Sequence, residues 1–135
     1  MSRDPTPVPV LVAGYLRHYA TQAEADSWAF DEVTDRILDG TDPESAWELV
    51  RALIAAADEA ALDYVGAGPL EEVVRKHAVQ LIDRIEAAAK RDPKFGACLG
   101  RIWLAESDLP AAVCARVVRA SGGRIQLLSS DANDV

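Results

Sequence analysis

Two cysteines, two histidines and one methionine among 135 residues leave little from which to build metal or redox chemistry. Cys98 and Cys114 form no CxxC pair, and His18 and His77 stand too far apart for a two-histidine ligand spacing. No HExxH run and no calcium-loop spacing is present either. The sequence therefore predicts no metal and no cofactor, and two buried free thiols. Long apolar runs are also missing. None approaches the ~20 residues of a membrane span. The opening Met1–Val12 carries prolines and no cationic stretch ahead of an apolar core, so it does not read as a secretion signal. A cytoplasmic, membrane-free location follows as the default expectation. Nucleophile motifs are absent too: there is no GxSxG, and no sequence pattern nominates a Ser–His–Asp or Cys–His set.

Basic residues are scarce, 14 Lys and Arg against 22 Asp and Glu, for a net charge of −8. The imbalance is local. From Glu24 to Glu48 there are nine carboxylates and one base, Arg36, which accounts for the whole excess, and the remaining residues balance at thirteen of each sign. Such a field repels nucleic acid and steers cationic partners toward one end.

Half of the residues are apolar, and they recur at helical spacing between clear breakers. About six helices are expected, in antiparallel pairs, packed as an irregular bundle or a short solenoid-like stack. The fold class is all-α, with a single domain over 1–128 and a polar tail over 129–135. The first helix runs from about Val8 to Ala20 and the second from about Gln22 to Leu38. A Thr21/Glu24 capping box opens the second, and Gly40 ends it. Asp42-Pro43 and Asp92-Pro93 each pair an N-cap with a proline at the first helical position. A short continuation, Glu59–Val65, leads to a break at Gly66-Ala67-Gly68-Pro69. There Gly68 reads as the N-cap of the best-formed helix and Glu71 as its capping-box partner. That helix carries Leu70, Val74, His77, Leu81 and Ile85 on one stripe, with Glu71–Arg75, Glu72–Lys76 and Glu86–Lys90 pairs outside. Phe95, Leu99, Ile102 and Trp103 belong to the next helix, and Gly122-Gly123 closes the last. Arg124–Leu128 reads as tail. Trp47 and Trp103 are expected in the core.

The second helix supplies the candidate site. On a helical wheel, Phe30, Val33, Ile37 and Leu38 fall on one side and face the core. Trp28 falls nearly opposite Phe30, ringed by Asp31, Glu32, Asp35 and Asp39. A large aromatic inside a carboxylate rim has the anatomy of an interface anchor. The plain alternative is a Trp28 folded down against the first helix, beside a solvated acidic face.

Several segments occur together in order: Trp28-Ala-Phe-Asp-Glu-Val33, Asp42-Pro-Glu-Ser-Ala-Trp47, Tyr64-Val-Gly-Ala-Gly-Pro-Leu-Glu71, Ile82-Asp-Arg-Ile-Glu86, Asp92-Pro-Lys-Phe95 and Leu99-Gly-Arg-Ile-Trp103. They resemble an uncharacterised bacterial family of small helical domains, over roughly residues 28–118. The resemblance implies a soluble helical protein and carries no activity, cofactor or catalytic residue. It would also place basic residues after Phe95, where this chain has Gly96 and Ala97.

Three functional readings follow. The first is a non-enzymatic protein-interaction module whose acidic face, Trp28, Asp31, Glu32, Asp35 and Asp39, meets a basic protein partner. A toxin-neutralising, immunity-like protein is one concrete form of it. The second is a small-molecule binder or enzyme with a pocket between helices near Tyr64, Glu71 and Trp103. The third, DNA binding through Arg116, Arg119 and Arg124, has the whole −8 field against it.

Overall fold

The computed structural model describes residues 6–38 and 42–128. Asp39, the Gly40 cap and the 129–135 tail lie outside the described residues. Among the described residues seven α-helices run in chain order: α1 (Val8–Thr21), α2 (Ser27–Leu38), α3 (Pro43–Ala56), α4 (Glu59–Val65), α5 (Glu71–Arg91), α6 (Pro93–Leu99) and α7 (Ala111–Ala120). The fold is all-α, as expected from the periodicity. The seventh helix is the short Glu59–Val65 segment, which has its own N-cap: the Asp58 carboxylate accepts the Ala61 N–H at 2.8 Å. Both Asp-Pro starts form as read. Asp42 accepts the Glu44 N–H and Asp92 accepts the Lys94 N–H, each at 3.0 Å.

Three local expectations are overturned. The Thr21/Glu24 capping box does not form. Thr21 is the last residue of α1; its hydroxyl donates to the Arg17 carbonyl at 2.9 Å and accepts the Ala23 N–H at 3.2 Å. Gln22 takes the left-handed conformation that ends the helix, and a 3₁₀ turn over Glu24–Asp26 delays the start of α2 to Ser27.

The Gly66–Pro69 break is no break. Residues Gly66–Leu70 form a π-helical turn that joins α4 to α5, with Val65, Gly66, Leu70 and Glu71 all at right-handed helical angles. The Glu71 N–H reaches back to the Gly66 carbonyl, five residues away. Pro69 has no N–H to give and its ring crowds the preceding turn, so the helix widens there rather than stopping. Glu71 does not reach back to a cap; its carboxylate accepts the Trp103 N–H at 2.7 Å.

The third correction concerns Arg124–Leu128. Gln126–Leu128 is a strand, β2, paired in parallel with β1 (Trp103–Ala105), Trp103 opposite Gln126. Consequently α6 stops at Leu99. Trp103, expected in the core, is 47% exposed on β1.

The helix α5 is the hub: it packs against α2, α3, α6 and α7 and touches β1. That pattern is a bundle around a central helix, not a stack in which each repeat meets only its neighbours. Leu49, Leu53, Ile54, Leu70, Leu81, Ile85, Phe95 and Leu99 form the centre of the core. Trp47 is half-buried at its edge, 5.5 Å from Phe95 in an edge-on arrangement and covered by the Arg51 guanidinium. Among the described residues, no helix is long and apolar enough to cross a membrane.

Candidate functional site

The core row of α2 is Ala29, Val33 and Ile37, one turn apart on one face. Moving round the helix, the next row is Phe30, Thr34 and Leu38. Then come Asp31 and Asp35 with Trp28, and last Glu32 and Arg36. The second row was expected in the core, yet Phe30 is 36% and Leu38 40% exposed. The reason is geometric: α1 and α3 cover the first row, and the second faces a space that no side chain fills.

The four described residues of the expected partner surface do not act alike. Asp31 and Asp35 are exposed and make no hydrogen bond or ion pair among the described residues. Glu32 is engaged: it accepts from the Thr6 hydroxyl at 2.9 Å and pairs with Arg36 at 2.6 Å. Trp28 is 40% exposed, and its indole rests on Gly14 of α1, where a β-carbon would stand 3.2 Å from the ring. It is thus partly folded down against the first helix. Gly14 also lets Ala29 approach α1 closely, which sets the α1–α2 distance.

The unfilled space is an open groove of about 360 Å³ between α2 and the π-helical turn. One bank is the 30–38 stretch of α2. The other is the 64–72 stretch, with Tyr64, Pro69 and Glu72. Tyr15 of α1 forms the floor. Its ring stacks on Phe30 with centroids 6.1 Å apart and leans on Tyr64 at 5.6 Å; Tyr64 in turn stacks on Tyr19 at 4.6 Å. Tyr15 is 2% exposed, and its hydroxyl lies beside the Tyr64 side chain. That hydroxyl lies beneath Gly68, whose missing side chain keeps the space open. Burial first, and the neighbouring Tyr64 second, push the Tyr15 phenol above its ordinary value, so it stays a neutral donor.

Carboxylates edge both banks. Asp31 and Asp35 follow the Thr34/Leu38 row on α2, and Glu72 lines the opposite bank. Glu72 shares a single cation, Arg75, with Glu71 and Asp108, at 3.5, 3.1 and 3.3 Å. Three acids around one guanidinium leave that bank negative.

Of the pocket expected near Tyr64, Glu71 and Trp103, only Tyr64 reaches the groove. Glu71 is buried and spent on the Trp103 N–H and Arg75. Of the arginines considered for DNA, Arg116 is held by Asp83 and Glu86, and the Arg124 Nε donates to the Ser121 carbonyl at 2.8 Å. Glu86 therefore pairs with Arg116 across to α7, where the sequence suggested Lys90.

His77 is buried in the core side of α5, and its Nε2 has no hydrogen-bond partner. Burial holds its pKa below the ordinary value; Lys76 adds to this and Asp42 opposes it. Cys98 and Cys114 are free and buried as expected, and burial pushes the Cys98 thiol up to about 12, which leaves it unreactive at neutral pH. Among the described residues no three His, Cys, Asp or Glu side chains cluster as metal ligands would.

The groove itself was missed in the sequence. Its one signal is a proline flanked on both sides by uninterrupted helical pattern, which marks a widened turn as readily as a helix start.

A family model described as a family of unknown function (DUF6869) matches residues 17–125 of the chain, and the chain belongs to that family. No curated protein and no solved structure matches it.

Proposed function

We propose that this member of a family of unknown function is a protein-interaction module without chemistry of its own, receiving a basic protein partner on the acidic side of α2. One observation carries the reading. Asp31 and Asp35 are exposed, have no cation among the described residues, and stand beside an open apolar groove. Other carboxylates are held by arginine, Asp26 by Arg17, Glu32 by Arg36 and Glu86 by Arg116, while exposed Glu48 and Glu59 also lack an ion pair among the described residues, so it is the apolar groove beside Asp31 and Asp35 that sets them apart. Interfaces that form and dissociate combine an apolar centre with a charged rim, and rim charges steer the encounter.

A toxin-neutralising protein in a bacterial cytoplasm is one concrete form, in which the acidic face masks a cationic toxin. Engagement of Arg116 by two carboxylates speaks against a nucleic-acid role for α7. A small-molecule site between the helices remains the second reading. The Tyr15 hydroxyl in the groove favours it, and a thermal-shift screen separates the two. A ligand at a hundred times its dissociation constant adds about 2.7 kcal/mol to stability.

The direct test is affinity capture at low salt from an extract of the source cells, with an Asp31→Lys/Asp35→Lys variant beside the wild type. The expected result is a basic protein released by moderate salt and absent from the variant. Recovery of nothing, or of the same proteins by both, overturns the reading.

A further inference from the structure

We infer that the groove between α2 and the π-helical turn seats a basic amphipathic helix of the partner, an inference that rests on the interaction-module reading above. Its dimensions suit two turns of helix. The bank formed by residues 30–38 of α2 spans eight rises of 1.5 Å, about 12 Å. Apolar anchors at i, i+4 and i+7 of an incoming helix cover nearly that length. The volume, about 360 Å³, takes two or three aliphatic side chains but not a folded loop.

The walls select the occupant's chemistry. Phe30, Leu38 and Pro69 offer apolar surface. The carboxylates lie outside them on both banks, Asp31 and Asp35 on one and Glu72 on the other. An occupant must therefore be apolar along its centre and cationic along both edges. A helix with Leu or Ile on one stripe and Lys or Arg flanking it has that pattern.

A second copy of this chain does not fit. Its basic helix, α7, buries Cys114 and Val117 in its own core, and two molecules of charge −8 repel.

The test uses a synthetic Leu/Lys peptide of amphipathic helical pattern and a scramble of the same composition without the pattern. Affinities are measured by calorimetry against the full chain, with variants Gly68→Leu, Thr34→Arg and Asp31→Lys/Asp35→Lys. Gly68 lies in helical backbone, and its β-carbon position is 3.9 Å from the nearest atom, the Tyr15 hydroxyl, so Gly68→Leu fills the groove without opening the core. The wild type is expected to prefer the patterned peptide by about tenfold or more over the scramble. Gly68→Leu should erase that preference while melting no lower than wild type, and Thr34→Arg should weaken the patterned peptide by repulsion at the lip. Asp31→Lys/Asp35→Lys should weaken both peptides. Equal binding of patterned and scrambled peptides, or undiminished preference in both groove variants, overturns the inference; if the charge variant still loses binding, the acidic-face reading survives that failure. Binding of a neutral small molecule that Gly68→Leu abolishes, with no peptide preference, also overturns it.

Discussion

At the scale of single residues, the two glycines of the π-helical turn have opposite consequences. A β-carbon on Gly66 would stand 2.7 Å from the Cys98 carbonyl and 2.9 Å from the Arg101 side chain. Gly66→Ala should cost about 1–3 kcal/mol by overpacking, despite the helix propensity of alanine. Gly68→Ala meets nothing closer than 3.9 Å and should stabilise by up to about 1 kcal/mol through propensity alone. Denaturant unfolding of both variants measures the contrast. His77 sets a pH dependence. Its folded pKa is lowered from 6.5, so the neutral form is the one the fold accommodates. Its contribution is complete above pH 6.5 and is lost as pH falls from there toward the lowered value. Asp26 and Glu86 have lowered values from arginine hydrogen bonds, so their contribution is present above their ordinary values of 3.8 and 4.5 and fades only below them. Stability should thus decline first as pH falls below 6.5, before the carboxylates are protonated. His77→Leu should flatten that limb and leave the acid limb intact, as read by midpoint against pH. The burial of His77 was legible from its place on the apolar stripe. The orphaned Nε2 was not, because it depends on how the other elements pack around α5.

At the scale of elements, the caps were legible and the junctions were not. Asp42 and Asp92 announce their helices because the aspartate–proline pair solves the N-terminal N–H problem locally. Asp58 does the same for α4, and Asp58→Ala should cost about 1 kcal/mol, visible as a lower thermal midpoint and looser Tyr64 packing in the near-ultraviolet dichroism. The Gly66–Pro69 stretch fits a stop and a widened turn equally well in sequence. The close seating of α6 on Gly66 and the burial of Val65 and Leu70 on either side favour continuity, and both are tertiary facts. The same holds for β2: its partner lies across the whole of α7, and parallel pairing leaves no local signature. On α2, the periodicity correctly placed Val33 and Ile37 inward. It also sent Phe30 and Leu38 to the core, because a wheel shows which side is apolar and not whether a neighbour covers it.

At the scale of the molecule, the charge asymmetry read from the sequence and the groove seen in the structure converge on one surface. Arg17, Arg84 and Arg116 pair with other carboxylates, and Asp31 and Asp35 have no partner among the described residues. Partner binding should therefore weaken with salt, since exposed charges are screened within about 10 Å at 0.1 M ionic strength. The most direct measurement is amide chemical-shift mapping of the labelled chain titrated with the patterned Leu/Lys peptide. The expected result is a set of shifted resonances confined to residues 30–38 and 64–72, fading as salt is raised. Shifts centred on α7 or β1, or spread evenly over the acidic surface without the 64–72 bank, would contradict the assignment of this groove as the receiving site.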